Sequence, residues 1–321
     1  HIQKGEVHWQ SATEQVIERI FSLFTPVRVL QQLHEFQALR MAEFKRKLQA
    51  IEWSKILEPT SFFSVKASSF RSKLYHTKGL QERLGQVIQE QLPNCQPVWP
   101  SDAKPHNEQQ KKIPYIYIHC NNNHCRISIS VGSNDLSKRG YRLETAKAPL
   151  QEHLAAVLLQ ASGWQCEQAL IDPFCGSGTI PIEAALLADR RACQPTSIIG
   201  ADRDAGACAI ANRNAERAGV ADKLQIRQQA ISFLKPCTTT GHIITNPPYG
   251  KRIGGKHDMR NLFARFGNIL QSSFSSWHLS MLCPEGQIGA EIQNQIGISV
   301  EKLCTFSNGG LPVSILHGIV P

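Results

Sequence analysis

The stretch DPFCGSGT, residues 172–179, decides the fold. The residues before it, ALI, are apolar and strand-like. Those after it, TIPIEAALLADR, have the spacing of a helix. A strand that turns through glycines into a helix is the opening unit of a doubly wound α/β domain. The glycines let backbone N–H groups approach a ligand, and the helix N-terminus favours anionic groups. Position 181 is Pro where a third glycine would stand, so the nicotinamide fingerprint is not met.

Outward from this turn the pattern repeats. LQEHLAAVLLQASGW reads as a helix, TSIIGADRD as a strand, and AGACAIANRNAERAGV as a helix stopped by Gly219. LQIRQQ and HIITNPP read as strands, NLFARFGNILQSSF as a helix and HLSMLC as a strand. KLCTFSNGGLPVSILHGIV reads as two strands around Asn308-Gly309-Gly310, a hairpin signal. Alternating strands and helices predict a parallel sheet, here with a C-terminal hairpin.

The N-terminal half is different. VRVLQQLHEF predicts a strand flanked by helices, closed by Trp53, Ile56 and Leu57, and FFSVKA predicts a second strand. Leu80, Leu84, Val87, Ile88 and Leu92 recur at three and four, an amphipathic helix. Residues 94–114 are polar and Pro-rich, a loop. IPYIYIHC and RISISV, joined by NNNH, predict a hairpin, and SKRGYRLETAKAP a charged connector. Residues 1–147 hold 21 Lys+Arg against 13 Asp+Glu, and residues 148–321 hold 14 against 13. The excess charge therefore sits in one half, the footprint of a polyanion partner such as nucleic acid.

Hydrophobic residues make up 41% of the 321, enough for a sizeable core. No run approaches the roughly 20 apolar residues of a membrane helix. The first residues do not read as a charged-then-apolar leader, and the first of them is His1, so the chain is expected to begin downstream of a natural start. Ten cysteines spread over this length predict reduced thiols in a cytosol.

Two further features place chemistry beside the turn. The strand after it ends at Gly200-Ala201-Asp202, and a carboxylate there can accept both hydroxyls of a ribose. The stretch IITNPPYGKRIG, residues 243–254, puts Asn246 at the C-terminal end of a later strand, where open α/β sheets bind ligands. Pro248 has no N–H to compete for the carbonyl of Pro247. Asn246 and Pro247 can thus offer two acceptors to an exocyclic amine, and Tyr249 a flat face for a base. Accepting the amine's hydrogens favours the tetrahedral nitrogen of a transition state in which that amine is the nucleophile.

These residues carry a resemblance. DPFCGSGT resembles motif I of S-adenosylmethionine-dependent methyltransferases, and NPPY resembles motif IV of those that methylate amino nitrogens. With RGYRLETAKAPLQEHLAAVLLQASGW, VRVLQQLHEF, FFSVKASSFRSKLYHTKGLQERL and SISVGSNDLSKRGYR, nearly the whole chain resembles the THUMP-domain RNA methyltransferases. The bacterial 23S rRNA guanine-N2 methyltransferases are the nearest in pattern. The resemblance implies a Rossmann-like, seven-stranded class I methyltransferase domain with a C-terminal β-hairpin over residues 148–321. It implies a partial ferredoxin-like domain over 1–58, and a THUMP RNA-binding domain with connector over 59–147. By position, Asp172, Pro173, Phe174, Cys175, Gly176, Ser177, Gly178 and Thr179 would wrap the methionine part of S-adenosylmethionine. Asp202 would hold the ribose, with Arg203 near the adenine. Ala230 stands where the family usually has an Asp for the adenine amine. Asn246, Pro247 and Tyr249 would hold the target base. Arg71, Lys73, Lys78, Lys138, Arg139 and Arg142 would meet RNA phosphates.

Other constellations carry less. HCNNNHC, with His119, Cys120, His124 and Cys125, lies across a hairpin turn, and a structural zinc needs four ligands. No metal is expected there. Cys175 has no base near in sequence to activate it. Alternatives to a 23S rRNA guanine remain open: a tRNA guanine, an adenine N6, or a non-catalytic RNA-binding ribosome-assembly factor. Protein glutamine methylation is disfavoured by the basic half. A nicotinamide dehydrogenase is disfavoured by Pro181 and by the Pro-Pro step.

Overall fold

The structure, a computed structural model, describes residues 2–3, 6–7, 25–99, 113–131, 139–145, 150–249 and 256–321. The chain divides into two compact units, residues 1–136 and 137–321.

In the first unit, β1 (Leu30–Gln37), β2 (Phe62–Phe70), β3 (Gln96–Pro97), β4 (Tyr115–Asn121) and β5 (His124–Ser130) form one sheet in the order β1-β5-β4-β2-β3. Helices α1 (Met41–Gln49) and α2 (Thr77–Gln91) accompany it. A two-residue ladder pairs Ile2–Gln3 with Glu6–Val7. The helix expected from Leu80, Leu84, Val87 and Ile88 buries those four side chains in one core with Phe36, Phe44, Trp53 and Phe63. Residues 30–57 therefore share both sheet and core with 62–130. The boundary expected at 58 does not divide the described residues, because β1 needs β5 as its partner. The boundary expected at 147 falls at 136/137 instead.

The hairpin forms as expected, with Asn122 and Asn123 at positive φ in its turn. Cys120 and Cys125 face each other in register, with Cα atoms 4.1 Å apart, and are joined as a disulfide. Reduced thiols are thus corrected at this pair, which cross-strand pairing brings together. His119 Nδ1 bonds to Ser68 Oγ (2.8 Å).

The second unit is α3 (Glu152–Ala161), β6 (Leu170–Asp172), α4 (Thr179–Arg190), β7 (Ile198–Asp202), α5 (Ala205–Arg217), β8 (Gln225–Gln228), β9 (His242–Thr245), α6 (Lys256–Ser273), β10 (His278–Pro284), α7 (Gln287–Ile296), β11 (Glu301–Asn308) and β12 (Leu311–Ile319). Its seven-stranded sheet runs β8-β7-β6-β9-β10-β12-β11, parallel except where β12 pairs with β10 and β11. Strands such as Leu170–Asp172 and His242–Thr245 are buried throughout, the state of a parallel sheet covered on both faces. Chain order reverses between β6 and β9, which makes their C-terminal ends the switch point where α/β sheets bind ligands. α7 was not expected from the sequence, because Gly289 within it, the glycines that cap it and its scattered polar residues mask its period. Among the described residues no helix is long and apolar enough to cross a membrane.

At the opposite ends of the strands, His242 stacks on His278 (centroids 4.6 Å) and His278 on His317 (5.5 Å). Burial, with the other two imidazoles, holds His242 down to about 4. The folded protein thus resists a proton that the unfolded chain accepts near 6.5. The stability contributed is present above about 6.5 and is lost as pH falls through 4, on the order of 3 kcal/mol for a ring 3% exposed. His242→Gln should therefore lower the melting temperature less at pH 4.5 than at pH 8. Thermal unfolding of both proteins at the two pH values checks this.

Candidate active site

The DPFCGSGT turn opens onto a cavity of about 580 Å³. Gly178, at φ +82°, ends the turn and begins α4. A Cβ there would lie 2.9 Å from Ala211 Cβ, so only glycine lets the turn pack on α5. Gly176, at φ +53°, would meet nothing within 4 Å, so its backbone is open to a ligand. The turn is braced from below by buried Asn214, whose Nδ2 donates to the Ser177 carbonyl (3.1 Å).

Asp202 lines the cavity. Its Oδ2 accepts from Gly176 N (3.0 Å) and its Oδ1 from Asp204 N (3.0 Å), so the carboxylate is fixed at the ends of β7 and the turn. Asp172 is 1% exposed, and its Oδ1 accepts from Thr245 Oγ1 (2.6 Å) and Phe174 N (3.1 Å). Burial pushes its carboxyl up to about 7, against those two hydrogen bonds. It ties the turn to the residue before Asn246, a bracing role that its place in the motif did not reveal. Burial and the carboxylates of Asp172 and Asp202 push the Cys175 thiol well up, so it is no nucleophile.

Pro173, Phe174, Cys175, Gly176, Ser177, Thr179, Arg203 and Ala230 line the same cavity, as does Asn246. Pro247 and Tyr249 do not. After β9 burial alternates along the chain: Thr245 and Pro247 are buried, Asn246 and Pro248 half-buried and lining the cavity. Tyr249, 6% exposed, packs in the core with Met259 and Phe263. The stacking face expected of Tyr249 is corrected, since the same alternation turns it away. Asn246 Oδ1 is buried with no hydrogen-bond partner among the described residues.

The sequence reading missed much of the opposite rim. Gln229, Ile231 and Ser232 flank Ala230, and Asp258, Asn261, Leu262 and Arg265 of α6 complete the wall. Their spacing along α6 was visible, but not which polar residues faced inward.

The basic residues divide. Arg71, Lys73 and Lys78 are exposed in the first unit. Beside them Phe70 is 58% exposed under the Arg71 guanidinium (5.0 Å), and Tyr75 is 74% exposed. Lys138 lies outside the described residues. Arg139 and Arg142 are turned inward. Arg139 Nε lies 3.5 Å from Glu183 Oε2, and Arg142 Nη2 2.9 Å from Glu152 Oε2. Their phosphate role is corrected: buried carboxylates on α3 and α4 take their charge. Tyr141 OH also donates to Glu183 (3.1 Å), and Glu144 pairs with Arg213 and Arg217. The connector is thus clamped along the second unit by alternating charges.

Known proteins share this architecture. SMU.472, solved complexed with SAH, superposes with a TM-score of 0.79 at 25% identity, over 95% of this chain and 88% of that one. "Ribosomal RNA large subunit methyltransferase K/L" of Syntrophotalea carbinolica is 28% identical over 334 residues, 90% of this chain and 46% of that protein. The protein of that name from Shewanella baltica is 32% identical over 234 residues, 61% of this chain and 32% of its own length. The chain thus spans less than half the length of these curated relatives. Residues 139–307 match the family described as UPF0020, RMKL-like, methyltransferase domain, and that stretch holds the turn, Asp202 and Asn246. With more than half its residues inside that match, the chain belongs to the RMKL-like methyltransferase family.

Proposed function

We propose that this protein is an S-adenosylmethionine-dependent RNA methyltransferase acting on the exocyclic N2 amine of a guanine in large-subunit rRNA. The observation that carries the reading is Asn246 on the wall of the cavity that the DPFCGSGT turn opens, with its buried Oδ1 left unpartnered among the described residues. A buried acceptor without a donor costs about 1–3 kcal/mol. A bound amine would restore that energy where methylation needs it.

The residues present fit the cofactor. The open backbone at Gly176 suits its methionine part, and Asp202 has lone pairs left for ribose hydroxyls. Ala230 offers no side-chain acceptor, so the adenine amine falls to backbone carbonyls and to Gln229 and Ser232 around it. When bound, S-adenosylmethionine supplies an electrophilic methyl group. Asn246 holds the amine and favours its tetrahedral form. The alkylated nitrogen is acidic and gives its proton to water, so a neutral amide suffices and no strong base is required.

Arg71, Lys73 and Lys78, with Phe70 and Tyr75 exposed among them, suit phosphates and unstacked bases together. The two relatives named for rRNA large-subunit methylation support the same substrate class. Incubation with S-adenosylmethionine and a transcribed 23S rRNA, followed by mass spectrometry of nucleosides, should yield N2-methylguanosine. Transfer to adenine, or to tRNA alone, would overturn the assignment.

A further inference from the structure

The lining of the cavity is of two kinds. The glycine turn, Asp202 and residues 229–232 suit the cofactor. The rest includes a stripe of α6, where Asp258, Asn261, Leu262 and Arg265 fall at i, i+3, i+4 and i+7. That stripe runs two turns, about 10 Å. A second stripe, Met259, Phe263, Phe266 and Leu270, about a third of a turn around the helix, is buried and fixes its rotation. Arg260, outside the stripe, is paired with Glu291. Among the described residues, the side chains of Asp258, Asn261 and Arg265 have no hydrogen bond or ion pair. Three polar side chains are therefore left open on the wall of a cavity that Asn246, with its unpartnered Oδ1, also lines.

We propose that this stripe is the target-nucleotide subsite and that Asp258 selects guanine. The inference rests on the methyltransferase reading above and names the group that chooses its base. A carboxylate can only accept hydrogen bonds. Guanine presents two donors side by side, N1–H and the N2 amine. Asp258 accepts the first while Asn246 accepts from the second. Adenine presents a lone pair at N1, which the carboxylate repels. Asn261 has both a donor and an acceptor to offer the rest of the base edge. Arg265, two turns from Asp258, offers a planar fork to a phosphate of the same extruded nucleotide. The acceptors of the NPPY stretch do not separate guanine from adenine; the carboxylate on α6 does.

The test uses the RNA stem-loop around the nucleotide that the wild-type protein methylates in transcribed 23S rRNA. The target is guanosine in one version and 2-aminopurine in the other, which keeps the N2 amine but carries a lone pair at N1. The wild type should prefer guanosine by about 100-fold or more, because a site built to pair with a donor rejects its absence. Asp258→Asn puts an amide of the same shape on an exposed helical position. It should reduce that preference to about tenfold or less while binding S-adenosylmethionine by calorimetry as the wild type does. An unchanged preference, with guanosine still methylated, overturns the subsite alone. Lost cofactor binding places Asp258 on the cofactor and overturns it as well. A wild type that binds S-adenosylmethionine yet methylates no RNA overturns the underlying reading, and the subsite with it.

Discussion

Asn246→Ala is expected to lower the rate of methyl transfer by about 100- to 1,000-fold, the loss that follows removal of one preorganised group at a reacting centre. Cofactor affinity should hardly change. The Asn246 side chain makes no hydrogen bond within the described protein, and its Oδ1 is held ready without a partner. Truncation therefore removes a buried, unsatisfied acceptor and should leave the fold as stable or slightly more so. This combination separates a substrate-facing amide from a structural one, which would cost stability when lost. Single-turnover kinetics, calorimetry with S-adenosylmethionine and a melting curve check the three parts. Near-normal turnover would remove Asn246 from the reaction.

Arg139→Ala should be the most destabilising single change in the connector, by about 3 kcal/mol at pH 8.5. Arg139 is 12% exposed and its partner Glu183 is fully buried, so truncation strands a carboxylate in the interior. Burial pushes Glu183 up to about 7, and Arg139 is the largest influence opposing that rise. The raised value means that the folded state binds a proton the unfolded chain has released. The contribution of Glu183 is full below its ordinary range near 4.5 and is lost as pH rises through 7. Without Arg139 the ionised form is worse still, so the gap between variant and wild type should widen from pH 6 to pH 8.5. Unfolding midpoints at the two pH values test it. If Arg139 served phosphates instead, RNA affinity would fall with stability unmoved.

The elements readable from sequence were those with strong local rules. The glycine turn, the alternating strands and helices, and both hairpins follow from spacing and turn chemistry, and Gly309 and Gly310 do take positive φ. The place of Asp202 at the end of a strand was legible because the apolar run before it is short and bounded. What stayed hidden depends on direction in space. The alternation of burial after β9 sets Asn246 on the cavity and, three residues on, Tyr249 in the core. The charges of Arg139 and Arg142 look solvated until α3 and α4 bring Glu152 and Glu183 beneath them. The polar stripe of α6 gains meaning only once β6 and β9 set the cavity opposite it.

The strand order also sets a timetable for folding. β12 lies between β10 and β11, although it is the last of the three in the chain. While the polypeptide is being made, the outer edge of β10 has no partner until residues 311–319 have emerged. β11 cannot dock before then, because its place is beside β12. An exposed edge of buried-type sequence, LSMLC, is a template for pairing with other chains. The helices α6 and α7, both made before β12, can cover the faces of the growing sheet but not its edge. Completion of the domain is thus a late, long-range event, and the interval before it is when a nascent chain is most exposed to aggregation.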